Sequence, residues 1–263
     1  MRRLCPLLVA ACLIVFAAPT PQASARTILA ATPISRLDLP WWKARFETKA
    51  RRLHDGPVDL VFYGDSITSD WERHGPPAWK DFAPVWQRFY GERNAVNLGF
   101  VGDTTANLLW RIENGEAAGI SPKVAVILIG ANNLGRLHWS AADTISGIDA
   151  IISELRRRLP HTKLLLLGIL PSDRTSWATA TTENVNRILG ARYDGGQTAN
   201  VTYRDLSPVF LHGGRLEREL FLDPNLAPPQ PPLHPDAEGQ ARMAATMEPT
   251  LATLMGDHSH VRQ

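Results

Sequence analysis

A serine, a glycine and an asparagine stand at equivalent points along this chain, each just past an apolar run of strand length. Gly64-Asp65-Ser66 follows Val58 to Tyr63, Gly99-Phe100-Val101-Gly102-Asp103 follows Ala95 to Leu98, and Gly130-Ala131-Asn132-Asn133 follows Val124 to Ile129. A serine hydroxyl is a poor nucleophile until a neighbouring base takes its proton. A glycine N–H and a side-chain amide are the donors that a developing oxyanion needs. The three blocks therefore predict nucleophilic attack on an ester by Ser66, with Gly102 and Asn132 as oxyanion donors and Asn133 as the alternative to Asn132. Each block alone has a plainer reading. Gly64-Asp65-Ser66 would serve as an Asx turn capping a helix, Gly102 as a helix-entry glycine, and Asp103 and Thr104 as caps. Their ordered placement after successive strands is what argues for chemistry, because in a parallel sheet the strand C-terminal ends share one edge where ligands bind.

The base has to be a histidine, and His234 is favoured among the eight. It follows the last strand, on a loop just before the closing helix. His138, close to the third block, is the rival, with a role in the pocket wall beside Trp139 as its plainer reading. His54, His74, His161 and His212 fit solvated loops or helix ends, and His258 and His260 fall in a frayed tail. No two histidines show metal-ligand spacing, which argues against a metallohydrolase; separately, no cofactor is expected.

Apolar strand-length runs alternate with helical patterns, the signature of βαβ units. Helices are expected over 41–53, 104–114, 141–158, 181–193 and 236–255, and an aromatic segment from Trp71 to Tyr90 approaches helical spacing. The fourth and fifth strands are expected over 163–169 and 201–206. Leu164-Leu165-Leu166-Leu167 reads as buried on both faces. The fold class is α/β, a flavodoxin-like, doubly wound sheet of five parallel strands, with strand order left open. The six prolines between Pro224 and Pro235 predict a stiff loop.

Arg2-Arg3, the apolar run from Leu4 to Ala18 and the small residues Ala23-Ser24-Ala25 have the layout of a secretory signal peptide over 1–25. The expected product is a single domain over 26–263, periplasmic or secreted, with no stable membrane insertion after cleavage. Cys5 and Cys12 both lie in the signal, so the remainder has no thiol for disulfide, zinc or nucleophile. Arg2 and Arg3 also account for the net charge of +2, since without them 26 basic residues face 26 acidic ones. That balance gives no electrostatic case for nucleic acid.

From about Val58 to the closing helix the chain resembles the SGNH (GDSL-type) hydrolases, most of all the platelet-activating-factor acetylhydrolase catalytic subunits. The similarity is carried by Asn97-Leu98-Gly99-Phe100-Val101-Gly102-Asp103-Thr104-Thr105, Leu109-Trp110-Arg111, Glu113-Asn114-Gly115 and Pro122-Lys123-Val124 leading into Gly130-Ala131-Asn132-Asn133. The resemblance implies the SGNH hydrolase fold, Ser66 as nucleophile, His234 as base, and an oxyanion hole from the Ser66 and Gly102 N–H groups and the Asn132 amide. The chain departs from the family at one place: an aspartate usually stands three residues before the histidine, and here that residue is Pro231. A backbone carbonyl of the proline loop, Asp223 and Asp236 are the substitutes, beside a dyad with no carboxylate. Phe221-Leu222-Asp223 resembles the family's approach to its acid, which favours Asp223. Ten residues of straight polyproline helix span about 30 Å, so Asp223 serves only if the loop doubles back.

The expected activity is hydrolysis of short-chain, acetyl-type carboxylic esters on a small molecule or carbohydrate, through an acyl-serine. A lysophospholipase or thioesterase of the same fold, and a secreted binding protein with impaired catalysis, are the alternatives. Trp71, Trp139 and Trp177 have two readings that predict the same residues, a trench stacking on substrate sugar and plain core packing. The resemblance hints at a homodimer.

Overall fold

The computed structural model describes residues 26–194 and 200–260, so the expected signal peptide over 1–25 lies outside the described residues. Five strands, β1 (Leu60–Gly64), β2 (Ala95–Gly99), β3 (Val124–Leu128), β4 (Lys163–Leu167) and β5 (Val201–Arg204), form one parallel sheet in the order β2-β1-β3-β4-β5. This is the doubly wound flavodoxin-like order, whose direction reverses between β1 and β3. Every residue of β1 and β3 is buried. Successive side chains point to opposite faces of a strand, so both faces of the sheet are covered. Full burial stabilises each of the large apolar side chains, such as Leu60, Val61 and Ile127, by about 1.5–3 kcal/mol.

Helices α1 (Pro40–Arg52), α2 (Ser66–Ser69), α3 (Ala83–Tyr90), α4 (Thr105–Arg111), α5 (Ala131–Gly135), α6 (Ala141–Arg158), α7 (Ser176–Tyr193) and α8 (Ala237–Met255) complete the frame. α6 packs between α4 and α7, while α3 packs against α8. Short polar side chains start several of them. Ser140 Oγ accepts from Asp143 N at 3.1 Å, Thr175 Oγ1 from Ala178 N at 3.0 Å and Asp236 Oδ1 from Gly239 N at 2.8 Å. Each such cap satisfies one of the helix's unpaired N–H groups.

Several boundaries differ from the sequence reading. α7 begins five residues early, because Thr175 caps it. The aromatic segment is α-helical only from Ala83, preceded by short 3-10 turns at Asp70–Glu72 and Ala78–Lys80, and the 76–77 proline pair interrupts the pattern. Trp71 is buried in the core, its ring 5.4 Å from Tyr90 and 6.1 Å from Trp86, which decides for core packing over a substrate trench at that position. The tail around His258 and His260 is tied down rather than frayed. Buried Arg93 bonds Glu248 and Asp257 at 2.7–2.8 Å, and His260 N donates to Glu248 at 2.9 Å.

Candidate active site

The strand order brings the three blocks to one edge, with Gly64 level with Gly99 on one side and Leu128 on the other. At the first block the chain turns from strand to helix with no loop. Asp65 accepts from Ile67 N at 3.0 Å and caps α2, leaving Ser66 at the helix's first position. That turn fits only because its neighbours lack side chains: a Cβ on Gly99 would lie 2.1 Å from Ser69 N. Ser66 Oγ reaches His234 Nε2 at 2.9 Å across 168 residues.

At the second block Gly102 has φ +76°, a left-handed conformation that favours glycine, and its N–H has no partner among the described residues. Thr104, not Asp103, caps the following helix, in a reciprocal pair with Asn107. Asp103 is fully buried. It accepts from Trp42 Nε1 at 2.8 Å, Arg36 at 2.9 Å and Arg111 Nε at 2.9 Å. Arg111, also fully buried, donates to the carbonyls of Gly64 and Leu98 at 3.1 Å, pairs with Glu116, and lies over the Phe100 ring at 3.9 Å. One buried cation thus ties together the ends of β1 and β2. This network was missed from the sequence, although a lone charge inside Leu108-Leu109-Trp110-Arg111-Ile112 was its signal.

At the third block the two asparagines separate. Asn133 is fully buried and bonded to Thr105, accepting from its N–H at 3.0 Å and donating to its Oγ1 at 2.6 Å. Asn132 is 8% exposed; its amide donates one hydrogen to Asp103 O at 3.0 Å, and the second has no partner among the described residues. Of the two, only Asn132 thus retains an uncommitted amide hydrogen among the described residues.

The proline loop doubles back. Leu222 N donates to His234 O at 2.9 Å, Gln230 N to Asp223 O at 2.9 Å, and Phe221 pairs with Pro235 in an antiparallel bridge. Asp223 Oδ1 thereby sits 2.7 Å from His234 Nδ1, while Oδ2 accepts from the N–H groups of Leu233 at 2.8 Å and His234 at 2.6 Å. Asp236 is occupied as the α8 cap. With Nδ1–H facing the carboxylate, Nε2 is left as the acceptor of the Ser66 hydroxyl. His138, with φ 52°, lies 5.5 Å from the Trp177 ring at the rim.

Electrostatics match this geometry. Burial alone would push the His234 pKa down, but the Asp223 hydrogen bond and charge, with Asp70 and Asp65 nearby, hold it above the ordinary imidazole value. Burial likewise pushes Asp223 up, and its bonds to His234 and to two backbone N–H groups bring it below the usual carboxylate value. Burial raises Asp70 to about 6 against the pull of Arg73, and Asp65 to about 7 against the Ile67 N–H. Among the described residues no cluster of histidine and acid groups is arranged to hold a metal ion.

The profile of the GDSL-like Lipase/Acylhydrolase family matches residues 62–242. The platelet-activating factor acetylhydrolase IB subunits alpha2 of Rattus norvegicus and Homo sapiens are each 30% identical over 173 residues, 65% of this chain and 69% of theirs. A GDSL-like lipase from Bacteroides thetaiotaomicron superposes with a TM-score of 0.61 at 18% identity, over 80% of this chain and 97% of its own. A carbohydrate esterase family 3 protein from Talaromyces cellulolyticus does so at 0.56 and 20% identity, over 77% and 100%. These two structures establish likeness of fold. With the family profile spanning more than half of the chain, this protein belongs to the GDSL-like lipase/acylhydrolase family of ester hydrolases.

Proposed function

We propose that the enzyme hydrolyses short-chain, acetyl-type carboxylic esters through an acyl-serine intermediate. The observation that carries this reading is the hydrogen-bonded chain Asp223–His234–Ser66. Ser66 Oγ attacks the ester carbonyl carbon as His234 Nε2 takes its proton. The carbonyl oxygen, now an oxyanion, accepts from the N–H groups of Ser66 and Gly102 and from the free Asn132 N–H. Collapse breaks the C–O bond to the alcohol, which leaves with the proton from His234. Water then attacks the acyl-serine, giving its proton to His234, and the carboxylic acid departs as Ser66 regains its proton. Asp223 holds the imidazole tautomer and stabilises the imidazolium.

The preference for small acyl groups is supported by the 30%-identical relatives, which are named acetylhydrolases. The reading of a catalytically impaired binding protein rested on a missing carboxylate, and Asp223 stands where one is needed. Export to the periplasm or beyond belongs to the same proposal, and the mature chain should start at Arg26. The fold already engages residues just past that point, as Ala30 O accepts from Thr105 Oγ1 at 2.7 Å.

The test is hydrolysis of p-nitrophenyl acetate, butyrate and octanoate beside Ser66→Ala, with fluorophosphonate labelling of both proteins. Turnover falling with chain length, and labelling lost in the variant, are expected. Equal turnover by the variant would overturn the serine mechanism. A rate rising towards octanoate would favour the lysophospholipase alternative.

A further inference from the structure

Beside Gly102 lies a cavity of about 240 Å³ whose wall carries two arginines, Arg36 and Arg136, and no carboxylate. Elsewhere the chain's charges are nearly balanced, so this local excess calls for a cause. Arg36 is already committed: it donates to Val101 O at 2.8 Å and Asp103 at 2.9 Å, and its guanidinium lies 5.2 Å from the Trp41 ring. Arg136 is exposed, and its guanidinium has no acidic or hydrogen-bond partner among the described residues. It nevertheless lies directly against the turn, since a Cβ on Gly102 would be 2.9 Å from its terminal nitrogen and 3.4 Å from that of Arg36.

The acids behind the wall do not cancel this charge. Asp103 is shared between Arg36 and Arg111. Glu116, the other acid on Arg111, is fully buried and committed to that guanidinium. Three guanidiniums, those of Arg36, Arg111 and Arg136, thus face two carboxylates, and Arg136 is the one left without a partner among the described residues. The remainder of the wall is amphipathic, with Ile34, Leu137 and Trp139 beside Thr104 and Asn107.

We propose that this cavity receives an anionic group, a carboxylate or a phosphate, carried by the ester substrate, with Arg136 as its ion-pair partner. The inference rests on the esterase reading for its substrate. An ester whose carbonyl oxygen lies at the Gly102 N–H has its neighbouring atoms within reach of Arg136. An anion on a short stem would fill the cavity, its stem against Leu137 and Trp139. The oxyanion donor and the specificity residue then meet at a single glycine, which a side chain at position 102 would force apart.

The experiment compares matched esters that differ only in charge. On the acyl side these are 4-nitrophenyl hydrogen succinate and its methyl ester; on the alcohol side, 4-acetoxybenzoate, its methyl ester and 4-acetoxyphenyl phosphate. One series should show a kcat/KM preference for the anion at low salt, and which series does so locates the charge. Arg136→Gln should reduce that preference about tenfold, chiefly through KM, with partial recovery in Arg136→Lys and weakening as salt rises. A preference that survives Arg136→Gln, or none in either series, overturns the proposal. Calorimetric titration of succinate and inorganic phosphate onto Ser66→Ala protein reads the site without turnover. Saturable binding lost in Arg136→Gln, with no ester hydrolysed by the wild type, would sink the esterase reading and keep the anion site. Ester turnover with neither anion bound nor preferred would do the reverse.

Discussion

The two halves of the proposed active site are built by different means. Ser66, Gly102 and Asn132 sit at strand ends, within turns locked by the sheet register, by close backbone approach and by the buried Arg111–Asp103 pair. Asp223 and His234 sit on a loop between the 223–225 turn and α8 that has no helix or strand, and is held by backbone bonds among its own residues and by Asp173 N to Pro232 O at 3.1 Å. The first half resembles a fixed mould for the transition state. In the proposed mechanism the second half hangs a proton carrier over it; there a single carboxylate closes the loop with Oδ2 and bonds the imidazole with Oδ1. Placement on the rigid side should therefore control oxyanion binding alone. On the loop side, structure and proton affinity should change together.

The largest effect expected is that of Ser66→Ala, which removes the nucleophile from the rigid half. It should lower kcat by about 10⁵-fold to 10⁶-fold. Stability should stay within about 0.5 kcal/mol, because Asp65 and not Ser66 caps α2. Burst kinetics and denaturant unfolding check both halves of that statement.

Asp223→Asn comes next, with a loss of about 10³-fold to 10⁴-fold. Its pH signature distinguishes the loop half. His234 must be neutral to act as base, and its pKa lies above the usual imidazole value. The kcat/KM of the wild type should therefore rise with pH through that elevated value and be lost below it. Removing the Asp223 charge takes away the main support of the imidazolium, so the variant's limb should move to lower pH. The same shift has a stability counterpart. The raised His234 pKa contributes stability fully present below the unfolded pKa of about 6.5 and lost as pH rises through the folded one. A limb that stays in place would mean that Asp65 and Asp70, not Asp223, set the imidazole's proton affinity.

Asn132→Ala tests the rigid half by contrast. It should cost about 10²-fold to 10³-fold in kcat and leave the pH limb where it is, because the amide touches Asp103 O and not the imidazole. If the limb moved with this variant, the two halves would not be separable.

How much of this was legible in the sequence follows the same division. The strands, the three blocks after them and the α/β class were readable because apolar runs and glycine-containing turns are local signals. Strand order was not, since it depends on which edges meet in space. Asn132 and Asn133 were indistinguishable as neighbours of the same type; only burial under Thr105 separates them. Trp71 had two readings, trench and core, because an aromatic's exposure cannot be inferred from its type alone; burial selects the core. Asp223 was one of several choices because its role depends on a turn of the chain whose closing bonds, such as Leu222 N to His234 O, join residues a dozen apart.

The smallest effect expected belongs to Pro231, the position where the family resemblance places an aspartate. Pro231 is exposed, whereas Asp223 is buried and already holds the N–H groups of Leu233 and His234. A carboxylate at 231 would have to leave water and break the bonds that fold the loop before it could reach the imidazole, and burying an unpaired charge is costly. Pro231→Asp should therefore change kcat/KM by less than about threefold and reduce stability by about 0.4–1 kcal/mol, through the freer unfolded chain. In the Asp223→Asn background it should restore nothing. Recovery of even a tenth of wild-type activity in the double variant, with the acid limb returned to higher pH, would show that the loop accepts either carboxylate. Its path would then be less fixed than the turns that carry Ser66, Gly102 and Asn132.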